Sequence, residues 1–279
     1  MAMLKTMTLS GRNIFFRIEI LLAAAAFAFT AFTAFTVIPA CPGIAGEAFQ
    51  RAPGLFQRFL EASPYAPFAS LAGATAYALV SLILIYYFFE KTQAPEILFV
   101  TLFVLSFSAE GMRIVTLLQK TQVIPALYLL MSSRVLLFGR LFGLFSLFAA
   151  SVYAAGLDQQ KERNIIFIIA IITLLISLRV PIDVLTWDSS YNMINGYTSL
   201  FRMVEIGIFL LTVISFFISA WSKGAAEYAA IAAGSFLTFT GRNLFLSADT
   251  WAAVALGIPL LAMGTWFICT RLHKVYLWL

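Results

Sequence analysis

Histidine occurs once in these 279 residues and cysteine twice, which puts zinc sites and disulfide frameworks out of reach. Charge is nearly as scarce. Asp, Glu, Lys and Arg make up 11% of the chain, where a soluble domain carries about a quarter. A Walker motif and a Gly-rich dinucleotide fingerprint are both missing, so ATP energy would have to come from a separate subunit. What the chain has in excess is apolar surface: 62% of residues are hydrophobic and 28 are Phe. That excludes disorder, and it leaves a polytopic helical membrane protein whose first partner is the lipid bilayer.

A helix needs about 20 mostly apolar residues to cross the hydrocarbon core. Eight runs qualify, at 18–40, 66–89, 96–118, 133–155, 164–184, 199–221, 225–245 and 250–270. Runs such as 165–176 are continuously apolar and do not alternate, which favours helices over the strands of a barrel. The expected fold is therefore all-α: a polytopic transmembrane helical bundle of about eight spans, forming one integral membrane domain over 1–279. Seven spans are the alternative count. Ala94-Pro95 is a fitting start for the third helix, because Pro is tolerated in a first turn. Gly156-Leu157-Asp158 and Lys223-Gly224 read as tight turns between antiparallel neighbours.

Basic residues in short loops set orientation. Lys5, Arg12 and Arg17 precede the first run. With that end cytoplasmic, Lys91, Lys161, Arg163, Lys223, Arg271 and Lys274 fall inside too, while Arg51, Arg58 and Lys120 stay outside. Both termini are then cytoplasmic: a short segment 1–17 and a basic tail 271–279. The net charge of +5 is spread as a topology signal, so no nucleic-acid partner is implied. Small size and short loops suggest a bacterial inner (plasma) membrane.

The first run is longer than a signal-peptide core, which favours a retained span. Cys41 follows Ile38-Pro39-Ala40, where Pro39 fits a lipoprotein cleavage site poorly. The loop 41–64 places Leu55, Phe56, Phe59 and Leu60 at helical spacing with Arg58 and Glu61 opposite, an amphipathic turn suited to the outer headgroup layer. Trp187, Tyr191 and Tyr197 in the loop after the fifth run read as an aromatic belt. A weak echo links Gly143, Arg179 and Trp187 with Gly207, Arg242 and Trp251. Together with Arg113 it suggests three repeated helical hairpins plus a first and a last helix. Gly139, Gly143 and Gly207 are positions where helices could approach closely.

The charges inside the spans carry the functional reading. Arg113, Arg140, Arg179, Arg202 and Arg242 come from five helices, each roughly 6–9 Å below the outer boundary at about 1.5 Å per residue. Glu110 and Glu205 lie near the same depth, each three positions from an Arg on its own helix, Arg113 and Arg202 respectively. An Arg near the interface can reach the headgroups with its long side chain, but a buried carboxylate must be paired or protonated. The expectation is that all seven face inward as an Arg/Glu layer. Asp183, Asp188 and Asp249 either fold down to neutralise the surplus Arg or leave an anion site open to the outside. Guanidinium groups suit planar contacts with carboxylate or phosphate.

Two main readings follow: a protein that binds or transports an anionic small molecule or lipid headgroup, or a sensor or scaffold subunit with a purely structural ion network. The latter would work with a separate signalling or energising subunit. A lipid-modifying enzyme using Glu110 or Glu205 is a third, disfavoured because an adjacent Arg makes a carboxylate a weak base. No cofactor and no metal is expected. Deep charges on the cytoplasmic half look few, which weakens the transporter version.

Overall fold

A computed structural model describes residues 9–37, 59–63, 65–89, 94–119, 124–157 and 162–278. Its helices are α1 (Leu9–Val37), α2 (Ala66–Phe89), α3 (Pro95–Ser106), α4 (Ile114–Leu118), α5 (Ala126–Ala154), α6 (Glu162–Arg179), α7 (Thr198–Lys223), α8 (Ala226–Leu246) and α9 (Trp251–Trp278). A 3₁₀ segment, Phe107–Arg113, joins α3 to α4 in one rod. Six helical stretches are long and apolar enough to cross a membrane: α1, α2, the rod Pro95–Leu118, α5, α7 and α9. The expectation of an all-α protein therefore holds, and these six helices are compatible with an integral membrane protein. Two shorter or more polar helices complete the set: α6 carries Glu162, Arg163 and Arg179 within 18 residues, and α8 is rich in Ala, Gly, Ser and Thr.

The ends of the bundle follow from contacts. At one end Ser63 donates its backbone N–H to the Asp249 carbonyl at 2.9 Å, and Ser189 donates to the Asp249 carboxylate at 3.2 Å. At the other, Arg17 reaches the Tyr86 hydroxyl at 3.3 Å, and the Phe89 and His273 rings lie 5.3 Å apart. The first is called the hairpin end below, and the second the terminal end, since α1 begins and α9 finishes there. The rod Pro95–Leu118 sits at the centre with 72% of its apolar window buried; α1 is peripheral at 22%. Ile97, Phe99, Val100 and Phe103 of the rod are almost wholly enclosed. Phe167, Ile171, Leu174 and Leu178 of α6 are exposed, the outward apolar face that lipid tails cover in a membrane protein.

Local chemistry explains most of the helix ends. Pro95 opens α3, and the left-handed Gly156 (φ +113°) and Gly224 (φ +62°) follow α5 and α7. The fifth run departs from expectation. The helix stops at Arg179 and does not reach 184, and β1 (Ile182–Trp187) pairs antiparallel with β2 (Met193–Asn195). Pro181 is the reason: it offers no N–H to continue a helix and biases Val180 away from helical geometry. Two of the three residues read as an aromatic belt turn inward, while Tyr197 stays exposed. Tyr191 is buried with its ring 6.0 Å from Phe68, and Trp187 packs against the same cluster.

Other boundaries shift as well. Helix α1 begins at Leu9, so much of 1–17 is already helical; α5 begins seven residues before 133; α9 runs through the basic tail to Trp278. Cys41, Leu55, Phe56, Arg58, Arg51, Lys120, Lys91, Lys161 and Asp158 lie outside the described residues, as does most of the loop 41–64. Phe59 and Leu60 of that loop are exposed, and Ala62 bridges to Thr250.

Helices α8 and α9 form the most extensively packed pair. Glycines make it possible. A Cβ on Gly241 would lie 2.5 Å from the Leu261 amide nitrogen, and one on Gly257 would lie 2.9 Å from the Phe245 Cβ. Gly139 and Gly143 similarly abut Ala109 and Ser106, as expected, whereas Gly207 faces open space, so that reading is corrected. Gly241→Val should force α8 and α9 apart and cost about 1–3 kcal/mol or more, read as a lower melting temperature of the purified protein. Gly207→Val should leave the melting temperature nearly unchanged.

Candidate functional site: a buried ion network beneath a hairpin

The 3₁₀ segment is where sequence becomes site. With three residues per turn, positions i and i+3 eclipse, so Glu110 and Arg113 project in one direction. Gly139 and Gly143 let α5 approach the segment closely, which brings Arg140 beside Glu110. The Glu110 carboxylate accepts from Arg140 Nε at 2.7 Å and Arg140 Nη2 at 2.8 Å, a bidentate pair, and from Arg113 Nη1 at 3.5 Å. Arg113 also donates to Ser70 Oγ of α2 at 3.2 Å and to the Ser190 carbonyl. Glu110 and Arg113 are each 2% exposed. A carboxylate so buried is tolerated only because its acceptors are filled.

The hairpin supplies the lid of this network. Asp188 Oδ1 accepts from the Ser190 N–H (3.0 Å), the Ser190 hydroxyl (2.9 Å) and the Asn192 N–H (2.8 Å), an aspartate-capped turn. Tyr191 takes a left-handed conformation within it, φ 61°. The turn presents the Ser190 carbonyl to Arg113 and Asn192 Oδ1 to Arg140 at 2.8 Å. Asp188 itself stays exposed and makes no salt bridge with an Arg among the described residues; what it holds in place is the turn. Asp183 instead accepts from Thr186 at 2.7 Å, and Asp249 from Ser189.

A second pair adjoins the first. Arg242 of α8 reaches Glu205 of α7 at 3.4 Å, the Asn243 side chain at 3.2 Å, and the Arg140 backbone carbonyl at 3.4 Å. Glu205 therefore pairs across helices, and its i−3 neighbour Arg202 is not its partner. Five of the seven expected residues come together: Glu110, Arg113, Arg140, Glu205 and Arg242. Arg202 is exposed and lies at the mouth. Arg179 is exposed at the end of α6 and does not join them, since Pro181 ends that helix and turns the chain away.

Between α5, α7 and the hairpin lies a cavity of about 470 Å³, lined by Arg140, Asp188, Asn192, Arg202, Glu205 and Phe201 among others. Its charges are unequal in commitment. Arg140 is held by Glu110 and Asn192, Glu205 by Arg242, and Asp188 by the turn. Arg202 makes no hydrogen bond or ion pair with the described residues.

Ser70, Ser190, Asn192 and Asn243 were not foreseen. Asp188-Ser189-Ser190-Tyr191-Asn192, between two short β-prone stretches, was the available signal for the turn. Buried ionisable groups toward the terminal end were also missed: Glu19 and Arg12 of α1 are 1% and 5% exposed.

Among known proteins, the chain matches no family model and no curated protein with significance.

Removing one partner of a buried pair strands the other charge. Arg140→Ala should therefore lower stability by about 3–5 kcal/mol. Glu110→Gln should cost a similar amount, since it strands Arg140 and Arg113 together, and the double variant Arg140→Ala/Glu110→Gln closes a cycle of melting temperatures that reads the coupling of the pair. Asn192→Ala, which removes one contact from the rim, should cost about 1–3 kcal/mol.

Proposed function

We propose that this is an eight-pass bacterial inner-membrane protein that binds an anionic small molecule or lipid headgroup in the cavity at the hairpin end. The single observation that supports it is Arg202: a guanidinium without a partner among the described residues, at the mouth of a cavity whose other charges are taken. Arg140 and Asn192 form the wall beside it, and Phe201, Leu136 and Leu137 offer apolar surface for a chain attached to the anion. Guanidinium over apolar walls suits an amphiphile with a phosphate or carboxylate head. In this reading both termini are cytoplasmic and the hairpin faces outward, following the basic residues near 1–17, 163, 223 and 271–274. Arg113, Arg179 and Arg242 near the same end of alternate helices favour the three-hairpin repeat.

Transport would add movement of the anion toward the terminal end, for which buried Arg12 and Glu19 supply polar groups at depth. The second reading, a sensor or scaffold subunit whose ion network is purely structural, draws support from Glu110, whose two oxygens are already filled by Arg140 and Arg113. The same occupancy weighs against a lipid-modifying enzyme with Glu110 as base.

Short-chain phosphatidylglycerol and inorganic phosphate, added separately to the purified protein, distinguish headgroup from free anion. A ligand at a hundredfold excess over its Kd adds about 2.7 kcal/mol of stability. The melting temperature should rise with one of the two probes, and Arg202→Gln should abolish the rise while keeping the unliganded melting temperature. An equal rise in the variant, or none with either probe, sinks the binding reading and leaves the structural one.

A further inference from the structure

Glu19 lies on the terminal half of α1, away from the residues that line the cavity at the hairpin end. It is 1% exposed, and neither carboxyl oxygen has a hydrogen-bond partner. The polar side chain it faces is Thr101 of α3, whose hydroxyl already donates to the Leu98 carbonyl at 2.7 Å. The contrast with Glu110 is plain: equal burial, but two arginines on one and none on the other.

The charged and titratable groups around it are otherwise engaged or distant. On α1, Arg12 is seven positions away, about 10 Å along the helix, with its guanidinium 5.8 Å from the Phe16 ring. Arg17 points to Tyr86 of α2. Tyr77 of α2 shares a 2.6 Å hydrogen bond with Thr265 of α9. On α3, Glu96 is five residues before Thr101, about 7 Å along the axis, and carries the same sign. Glu110 and Arg113 of the 3₁₀ segment pair with each other, and α4 has no ionisable side chain. No salt bridge reaches Glu19 among the described residues.

A bare carboxylate in such a place loses its hydration and gains no partner, so the neutral acid is the form that survives. We infer that Glu19 is a proton-binding site of the membrane domain, holding its proton as a carboxylic acid between α1 and α3. Release gives the carboxylate and a proton passed to water, and it requires water to reach the group. Helix α1 is the element placed to admit it, being the least enclosed of the six apolar helices. The site stands on residues outside the cavity and is independent of what binds there.

The apolar reagent N,N′-dicyclohexylcarbodiimide tests this in the full-length protein. It adds to protonated buried carboxyls, the acid proton moving to a reagent nitrogen as the carboxyl oxygen bonds the central carbon. Peptide mass spectrometry should find the adduct on Glu19 at neutral pH and none on Glu110. Glu19→Gln copies the shape of the neutral acid, so it should lose the adduct, lose one protonated-carboxyl band in the infrared spectrum, and melt close to the parent protein. No adduct on Glu19 at any pH where the protein stays folded overturns the inference. So does suppression of the adduct by sodium, which would assign a bound cation. Should that variant fail to fold at all, the labelled position is still read from parent peptides.

Discussion

The Glu110 carboxylate is the constraint around which the hairpin end is organised. Buried between helices it is shielded from bulk solvent, and an unpaired charge so enclosed is far too costly to keep. Two guanidinium groups from different stretches of chain must therefore meet it. The 3₁₀ segment aligns Arg113, and Gly139 and Gly143 let α5 deliver Arg140. Both arginines then have donors left over, and the hairpin supplies acceptors for them in Ser190 and Asn192. Irregular backbone at the edge of a membrane protein is tolerated where it is buried against protein, and here it is tied down by the groups it covers.

The Arg/Glu layer consequently divides in two. Its deep part is closed: Glu110, Arg113, Ser70 and the hairpin bond one another and brace α2, the central rod and α5. Its shallow part is open, because Arg242 draws Glu205 away from Arg202 and leaves that side chain beside a cavity. Rigidity beneath and unspent charge above is the arrangement a binding site needs, since a guanidinium holds an anion well only when its surroundings do not rearrange. The terminal half follows a different rule. Glu19 has no arginine, and its burial is compatible with the membrane only as a neutral group.

How much of this was legible depends on the range of the interaction. Apolar runs, Pro95, Gly156 and Gly224 act within a few residues of themselves, so the helices and most of their ends could be read directly. The spacing of Glu110 and Arg113 was visible too. That Arg140 would be the stronger partner of Glu110 was not, because it depends on two glycines thirty residues away from that carboxylate meeting a rod whose local pitch has tightened. Glu205 and Arg202 are spaced like a helix pair, yet the nearer guanidinium in space comes from α8. The hairpin was hidden by its own composition: Ile182, Val184 and Trp187 extend an apolar run, and only Pro181 marks where it stops being helix.

Amino-acid order alone determined that this chain has helices long and apolar enough to cross a membrane, and that a few charges fall within those apolar stretches. These are consequences of local hydrophobicity and of backbone groups that must bond within their own segment. Tertiary structure decided which of those charges neutralise one another, which stands open, and which carboxyl is left with no counter-charge. A charge in a medium of low dielectric is governed by neighbours a few ångströms away in space, and sequence separation does not report that distance.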